Sequence, residues 1–263
     1  MTSASARERF AAAVRSQPID LGYTALLIAT EAHPASAATD VRDGLRLLDT
    51  LAADVPTNGS AGDRLRSVLR EFCGDRQVYE RLDSSLLNRV LVNRRGLPIL
   101  LSIVWLEVAR RAEIPAYGIG LPGHFVVGMG DPDGFHEIVD PFDSGRAVHH
   151  HELATMVGQP LGAQDLRPWE SAEILQRLLA NIRRWADRPE RLSTRRWAIE
   201  LALLLPRHSV ILQRQHAEVM LQLGGFLEAA RSFECYAAIV ERTDQSTAAA
   251  ARLRAQQCRA RLN

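Results

Sequence analysis

The stretch that decides the fold runs from Gly96 to Asp140 and reads GLPILLSIVWLEVARRAEIPAYGIGLPGHFVVGMGDPDGFHEIVD. Pro98 suits the first turn of a helix, because its φ angle is already near the helical value and its missing N–H would have no partner there. The following residues are apolar on almost every side. This pattern predicts a helix over 98–112 that other elements enclose, at the centre of its domain.

Three short strands are predicted after this helix. Proline at position 115 ends the helix, and 116–121, 124–129 and 135–140 have the composition of strands. The second and third strands flank Asp-Pro-Asp-Gly, which is a turn sequence. In an antiparallel hairpin around this turn, His124 and Asp140 would lie roughly opposite each other.

A histidine facing a carboxylate is the base and orienting group of a nucleophilic triad. A triad also needs a thiol or hydroxyl, best placed at the start of the buried helix, where free N–H groups bind an oxyanion. No such group stands at Pro98. The alternative is structural, since a His124–Asp140 pair also satisfies two buried polar groups and holds a sheet in register.

The order of these features resembles the transglutaminase-like superfamily, whose core reads Gly-x-Cys, a helix, a Gly-Ile-Pro-Ala-like exit, a histidine and Asp-Pro. Four segments are similar to its bacterial SirB-one branch, in which the core is joined to tetratricopeptide-type helices: Leu87-Asn88-Arg89-Val90-Leu91, Arg95-Gly96-Leu97-Pro98, Pro122-Gly123-His124-Phe125 and Asp140-Pro141-Phe142.

The resemblance assigns the catalytic histidine and aspartate to His124 and Asp140 and puts Pro98 at the family's cysteine. It also places Asn88 close to the site and makes Gly96 groove-lining, although an asparagine in this position can simply bond to local backbone. Proline supplies neither a nucleophile nor an oxyanion-hole N–H. The loss of one such donor alone costs about 100- to 1000-fold in rate.

Two functional hypotheses follow. In the first, the chain is a non-catalytic protein that binds a peptide or protein partner in the old substrate groove. In the second, it is a peptidase or amidase with another nucleophile, and Ser102 is the candidate because it lies one turn after Pro98. Ser102 is equally explained as a buried, hydrogen-bonded serine. Cys73 is a further possible nucleophile, or else a packed thiol.

The flanking sequence is helical. Apolar spacing predicts helices over 21–32, 41–53 and 63–72, with Asp20 and Asp40 as N-caps, and the chain is helical again from Ser171 onward. Residues 209–240 fit one tetratricopeptide unit, with Ala217 at the small position of the first helix and Ala229 and Phe233 at the packing positions of the second. The predicted fold is α+β, divided into an N-terminal helical segment (1–75), a transglutaminase-like core (76–165) and a tetratricopeptide-like domain (166–263).

Composition excludes several classes of function. A net charge of +1, with arginine as every basic residue, gives no strong field toward nucleic acid or membrane. No signal-peptide-like or membrane-spanning apolar segment occurs, and three cysteines without a paired spacing agree with a reducing compartment, so a cytoplasmic location is expected. Consecutive histidines at 149–151 cannot all chelate one ion, so neither a metal nor another cofactor is expected.

Overall fold

A computed structural model describes residues 5–134 and 136–262 of the chain. The chain forms two compact units, Met1–Leu178 and Leu179–Asn263. The helices are α1 (Ala6–Ala13), α2 (Leu21–Ala32), α3 (Ala37–Ala53), α4 (Ala61–Leu69), α5 (Leu87–Asn93), α6 (Pro98–Arg111), α7 (His150–Val157), α8 (Ser171–Trp185), α9 (Leu192–Leu204), α10 (Ile211–Gln222), α11 (Phe226–Val240) and α12 (Gln245–Ala260). The strands are β1 (Ala116–Leu121), β2 (His124–Gly130), β3 (His136–Asp140) and β4 (Arg146–Ala147).

The boundary between the two units falls within α8. The predicted fold class is confirmed: helices surround a small antiparallel sheet. The finer division into 1–75, 76–165 and 166–263 stays a prediction.

The two N-caps predicted for the N-terminal helices have different outcomes. Asp20 caps α2, since its carboxylate accepts a hydrogen bond from the N–H of Tyr23 at 2.9 Å. The predicted N-cap at Asp40 is wrong, because α3 starts earlier and Ser36 occupies its N-cap position. Asp40 instead lies inside α3, where its carboxylate accepts hydrogen bonds from the Ser36 hydroxyl and the Asn88 amide.

Helix α6 is the buried centre of the first unit, as predicted. Pro98 is its first residue, and the helix is buried on nearly every side. Glu107 is its buried charge; the carboxylate pairs with Arg111 and lies 3.0 Å from Arg110. A Cβ at Gly22 would come within 2.6 Å of this carboxylate. The ion pairs thus compensate for the burial of a charge at a close crossing of α2 and α6.

The sheet has the strand order β1-β2-β3-β4 with antiparallel neighbours. Val127 pairs with Val139, and Gly130 pairs with His136. Continuing this register places Asp140 beside Val126, so His124 is diagonal to Asp140 rather than directly opposite. The shift has a simple cause: the hairpin is centred on Asp133 and not on Pro132, which moves the partner of each β2 residue two positions further along the chain. The predicted third strand included Phe135, which lies outside the described residues.

The second unit is a set of helical hairpins. Its core includes Ala217, Ala229 and Phe233, which are the residues predicted to occupy tetratricopeptide packing positions, together with Cys258 from α12. Gly224 adopts a positive φ of 78° at the α10–α11 turn, a conformation that glycine accepts without steric cost. The tetratricopeptide assignment itself stays a prediction. No helix within the described residues has the length and apolar content needed to cross a membrane.

Candidate functional site

His124 and Asp140 meet at the ends of their strands. His124 begins β2, Asp140 ends β3, and the distance from His124 Nε2 to Asp140 Oδ2 is 2.9 Å. The other carboxylate oxygen of Asp140 accepts a hydrogen bond from the N–H of Phe142, also at 2.9 Å. The side chains of His124 and Asp140 are 15% and 4% exposed. The imidazole therefore has a fixed partner and retains limited access to solvent.

The backbone of His124 is held by Arg177. The Arg177 guanidinium donates to the His124 carbonyl at 2.9 Å and lies 5.8 Å from the Phe125 ring centre and 5.6 Å from that of Trp169. Trp169 packs on β1 where Gly120 leaves room, since a Cβ there would fall 2.2 Å from the indole. Sequence reasoning missed both Arg177 and Trp169, and the glycines of β1 were the available signal.

Two aromatic side chains, Phe142 and Tyr79, form an aromatic wall on another side of His124. The Phe142 ring is edge-on to the imidazole with 5.9 Å between ring centres, and Tyr79 lies 6.3 Å from Phe142. Tyr79 is 55% exposed as a whole residue. Partial burial and the negative charge of Asp140 nevertheless raise the pKa of its hydroxyl. Tyr79 was also missed from sequence, because nothing near it in the chain marks its position.

Gly74 packs against Phe142 of this aromatic wall. Its N–H donates to the carbonyl of Phe142 at 2.9 Å, and a Cβ at position 74 would lie 1.8 Å from the Phe142 ring. Only glycine fits this contact. This hydrogen bond and this packing contact connect the segment after α4 to the segment after β3, beside His124.

The first turn of α6 carries no nucleophile. Pro98 is buried there, and the preceding N–H, of Leu97, donates to the Ser84 carbonyl at 3.0 Å. Ser102 is fully buried, and its hydroxyl donates to the carbonyl of Phe125 at 3.4 Å. The Ser102 hydroxyl thus already has a partner on β2.

Asn88 and Gly96 lie in packed surroundings. Asn88 is buried, donates to Asp40 at 2.9 Å and accepts from the N–H of Arg89. Gly96 packs against Val90, whose side chain would be 2.7 Å from a Cβ at position 96. Cys73 is half-buried and is not in a disulfide. The structure therefore brings His124 and Asp140 together, and Asn88 and Gly96 have the partners Asp40 and Val90.

The histidines near α7 do not form a metal centre. His149 occupies the N-cap position of α7 and stacks on His151, with 5.8 Å between ring centres. His136 of β3 lies 5.8 Å from His150. Across residues 5–134 and 136–262, no three His, Cys, Asp or Glu side chains are placed to hold a metal ion together.

Comparison with known proteins identifies the family. Residues 45–180 match the model of the transglutaminase-like superfamily. This chain belongs to the transglutaminase-like superfamily. Within it, the chain is 33% identical over 236 residues to a UPF0162 protein of Xylella fastidiosa, covering 81% of each chain. It is 34% identical over 179 residues to the UPF0162 protein PA3419 of Pseudomonas aeruginosa, which covers 64% of this chain and 65% of that protein.

A more distant similarity extends to human proteins. Human F-box only protein 21 is 27% identical over 119 residues, covering 43% of this chain and 19% of the human protein. The predicted superfamily is confirmed by these matches, and the relatives at more than 30% identity carry the UPF0162 name.

Proposed function

We propose that this transglutaminase-like protein is non-catalytic and binds a peptide or protein partner at the surface around His124 and the start of α6. The observation that carries the proposal is Pro98 in the first turn of α6. At this position a cysteine-type enzyme needs both a thiol and a backbone N–H, and proline has neither. The expected cytoplasmic location, without nucleic acid or membrane as partner, is part of the same proposal.

The contacts of His124 support a binding role. Its imidazole ring is within hydrogen-bond distance of Asp140, its backbone carbonyl accepts a hydrogen bond from Arg177, and its ring contacts the Phe142 ring. A rigid imidazole that is partly exposed is able to donate to or accept from a ligand without completing a triad. A binding surface needs this ordering, since fixed side chains lose little conformational entropy when a partner docks.

The competing function is a peptidase or amidase that uses a non-standard nucleophile with His124 and Asp140. Ser102 is the candidate, but its hydroxyl is buried and already donates to Phe125. It also lies inside a helix, where the backbone N–H groups are bonded within the helix and cannot form an oxyanion hole.

A serine-reactive phosphonate probe and a peptide-hydrolysis assay test the proposal together. The wild-type protein is expected to show neither labelling nor turnover, as are the matched Ser102→Ala and His124→Ala variants. Circular dichroism would confirm that each variant is folded. Labelling or turnover that is present in the wild type and lost in both variants would replace the binding function with an enzymatic one.

A further inference from the structure

A polar cleft of ≈ 340 Å³ lies beside the start of α6. It is lined by residues that precede the helix: Asp75, Gln77, Val78, Arg81, Asp83, Ser84, Asn93 and Arg95. Val78 is its apolar member among side chains that otherwise carry charges, amides or a hydroxyl. The cleft is close to Pro98, because the carbonyl of Ser84 accepts a hydrogen bond from Leu97.

Ser84 provides a buried polar group in the cleft wall. The residue is only 5% exposed, and its hydroxyl has no hydrogen-bond partner among the residues that the structure describes. The Ser84 hydroxyl is not fully enclosed and reaches the solvent in the cleft, so a ligand can replace water as its hydrogen-bond partner. Ser84 therefore favours a ligand with hydrogen-bonding groups over an apolar one.

The charges of the cleft have both signs. Asp75 and Asp83 are without an ion-pair partner in the described part of the chain, although Asp75 caps the N–H of Gln77. On the basic side, Arg81 donates to the Gln77 amide oxygen, and Arg95 donates to backbone carbonyls through one nitrogen. A guanidinium has five donors, so both arginines keep further donors for a ligand.

We propose that this cleft binds an extended peptide segment carrying one basic and one acidic side chain. The aspartates would pair with the basic side chain, the arginines with the acidic one, and the amides and Ser84 with the peptide backbone. The inference rests on the proposed binding function and assigns its ligand class. Tyr79 connects this cleft to the His124 site, because it lies between the cleft residues Val78 and Arg81 in sequence and packs on Phe142.

Three matched peptides with blocked ends test the ligand class: Gly-Gly-Arg-Gly-Glu-Gly-Gly, the same sequence with Gln at both charged positions, and the same with Leu at both. Side chains two residues apart lie on one side of an extended chain, so the Arg and Glu would face the cleft together. Titration into the ¹⁵N-labelled full-length protein gives the affinity and the location of binding. The charged peptide is expected to bind about tenfold more tightly than either control at low salt, and less tightly as salt rises.

Two variants assign binding to the cleft. Asp83→Asn is nearly isosteric and is expected to weaken the charged peptide about fivefold, since one ion pair is lost. Ser84→Ala is expected to weaken it about threefold without changing charge. Asp133→Asn is the matched control, because it removes the same charge from the exposed turn between β2 and β3 and should leave affinity unchanged.

Several outcomes would overturn the inference. These are tighter binding of the Leu peptide, absence of binding by all three peptides, chemical-shift changes that map away from the cleft, or equal affinities in Asp83→Asn, Ser84→Ala and the wild type. None of these depends on turnover. Failure of the ligand class is therefore distinguishable from failure of the non-catalytic proposal, which only labelling or hydrolysis would show.

Discussion

Two histidines of this chain have partners that belong to triad chemistry, and their situations are nearly opposite. In the first unit, His124 lies 2.9 Å from the Asp140 carboxylate at the strand ends, and the first turn of α6 carries proline at position 98. In the second unit, the Nδ1 atom of His216 lies 2.7 Å from the Ser232 hydroxyl, and its Nε2 atom lies 3.5 Å from Glu200. One site lacks the nucleophile, and the other contains all three kinds of group.

The difference shows that a set of residue types does not define an active site. Ser232 is buried in the middle of α11, where backbone N–H groups are used by the helix and none is left for an oxyanion. His124 is the first residue of β2, and its side chain is 15% exposed, so it keeps access to solvent. We interpret the His216 cluster as a hydrogen-bonded link between helices.

The largest expected effect on stability comes from removing the Asp140 carboxylate of the first site. Asp140→Ala would leave His124 and the Phe142 N–H without their partner in a buried position, and should lower the free energy of unfolding by about 3 kcal/mol. Urea denaturation followed by circular dichroism measures this. Asp140→Asn keeps the shape of the side chain and should lower the free energy of unfolding by only about 1 kcal/mol. Equal midpoints for Asp140→Ala and the wild type would contradict the assigned contacts.

The second prediction restores what the first site lacks. Pro98→Cys introduces a thiol and an N–H at the start of α6, where the helix dipole favours the thiolate, and in the proposed site the His124 imidazole would favour it further. Alkylation by iodoacetamide at about pH 6 should be about tenfold faster than in Pro98→Cys/His124→Ala. Mass spectrometry of the labelled peptide separates this thiol from Cys73. Identical rates in the single and double variants would mean that His124 does not act on position 98.

The third prediction concerns the second site. Ser232→Ala removes the partner of His216 Nδ1 and should lower the free energy of unfolding by about 1 kcal/mol. The phosphonate probe should label neither the wild type nor Ser232→Ala, because no backbone N–H near Ser232 is free to bind an oxyanion. Labelling of wild-type Ser232 would reverse our interpretation of the cluster.

The smallest expected effect concerns Asp244, which caps α12 in the second unit. The Thr247 hydroxyl, the Thr247 N–H and Ser246 lower the pKa of Asp244 to about 2 from its ordinary 3.8. Because this pKa is lower in the folded state, its stabilisation is present above about pH 4 and is lost as the pH falls toward 2. Between pH 5 and pH 2.5, the melting temperature should therefore fall by about 2 °C less in Asp244→Asn than in the wild type. A steeper loss in the variant would contradict the sign.

Local signals in the sequence were enough for much of the fold. Pro98 and Pro115 mark the ends of α6, and alternation with a turn marks the strands. The His124–Asp140 pair followed from the same hairpin, although its register depended on the length of the turn, which composition does not determine. Asp40 looked like a cap because aspartate is favoured at N-caps, but alanine is the strongest helix former, and α3 already begins at Ala37.

The remaining features depend on contacts between distant parts of the chain. Arg177 is 53 positions from His124, and no local pattern connects them. Tyr79 and Trp169 likewise reach the site only through the folded chain. Strand β4 has two residues, too few for any alternation to appear. Sequence reasoning thus found the His124–Asp140 pair, and tertiary packing determined which residues surround it.

The contact between Gly74 and Phe142 has an evolutionary consequence. A substitution at position 74 would displace the ring that covers the edge of His124, unless a smaller side chain replaced Phe142 at the same time. Positions 74 and 142 should therefore change together among descendants of a common ancestor, and lineages that alter both would expose the imidazole to a different set of neighbours.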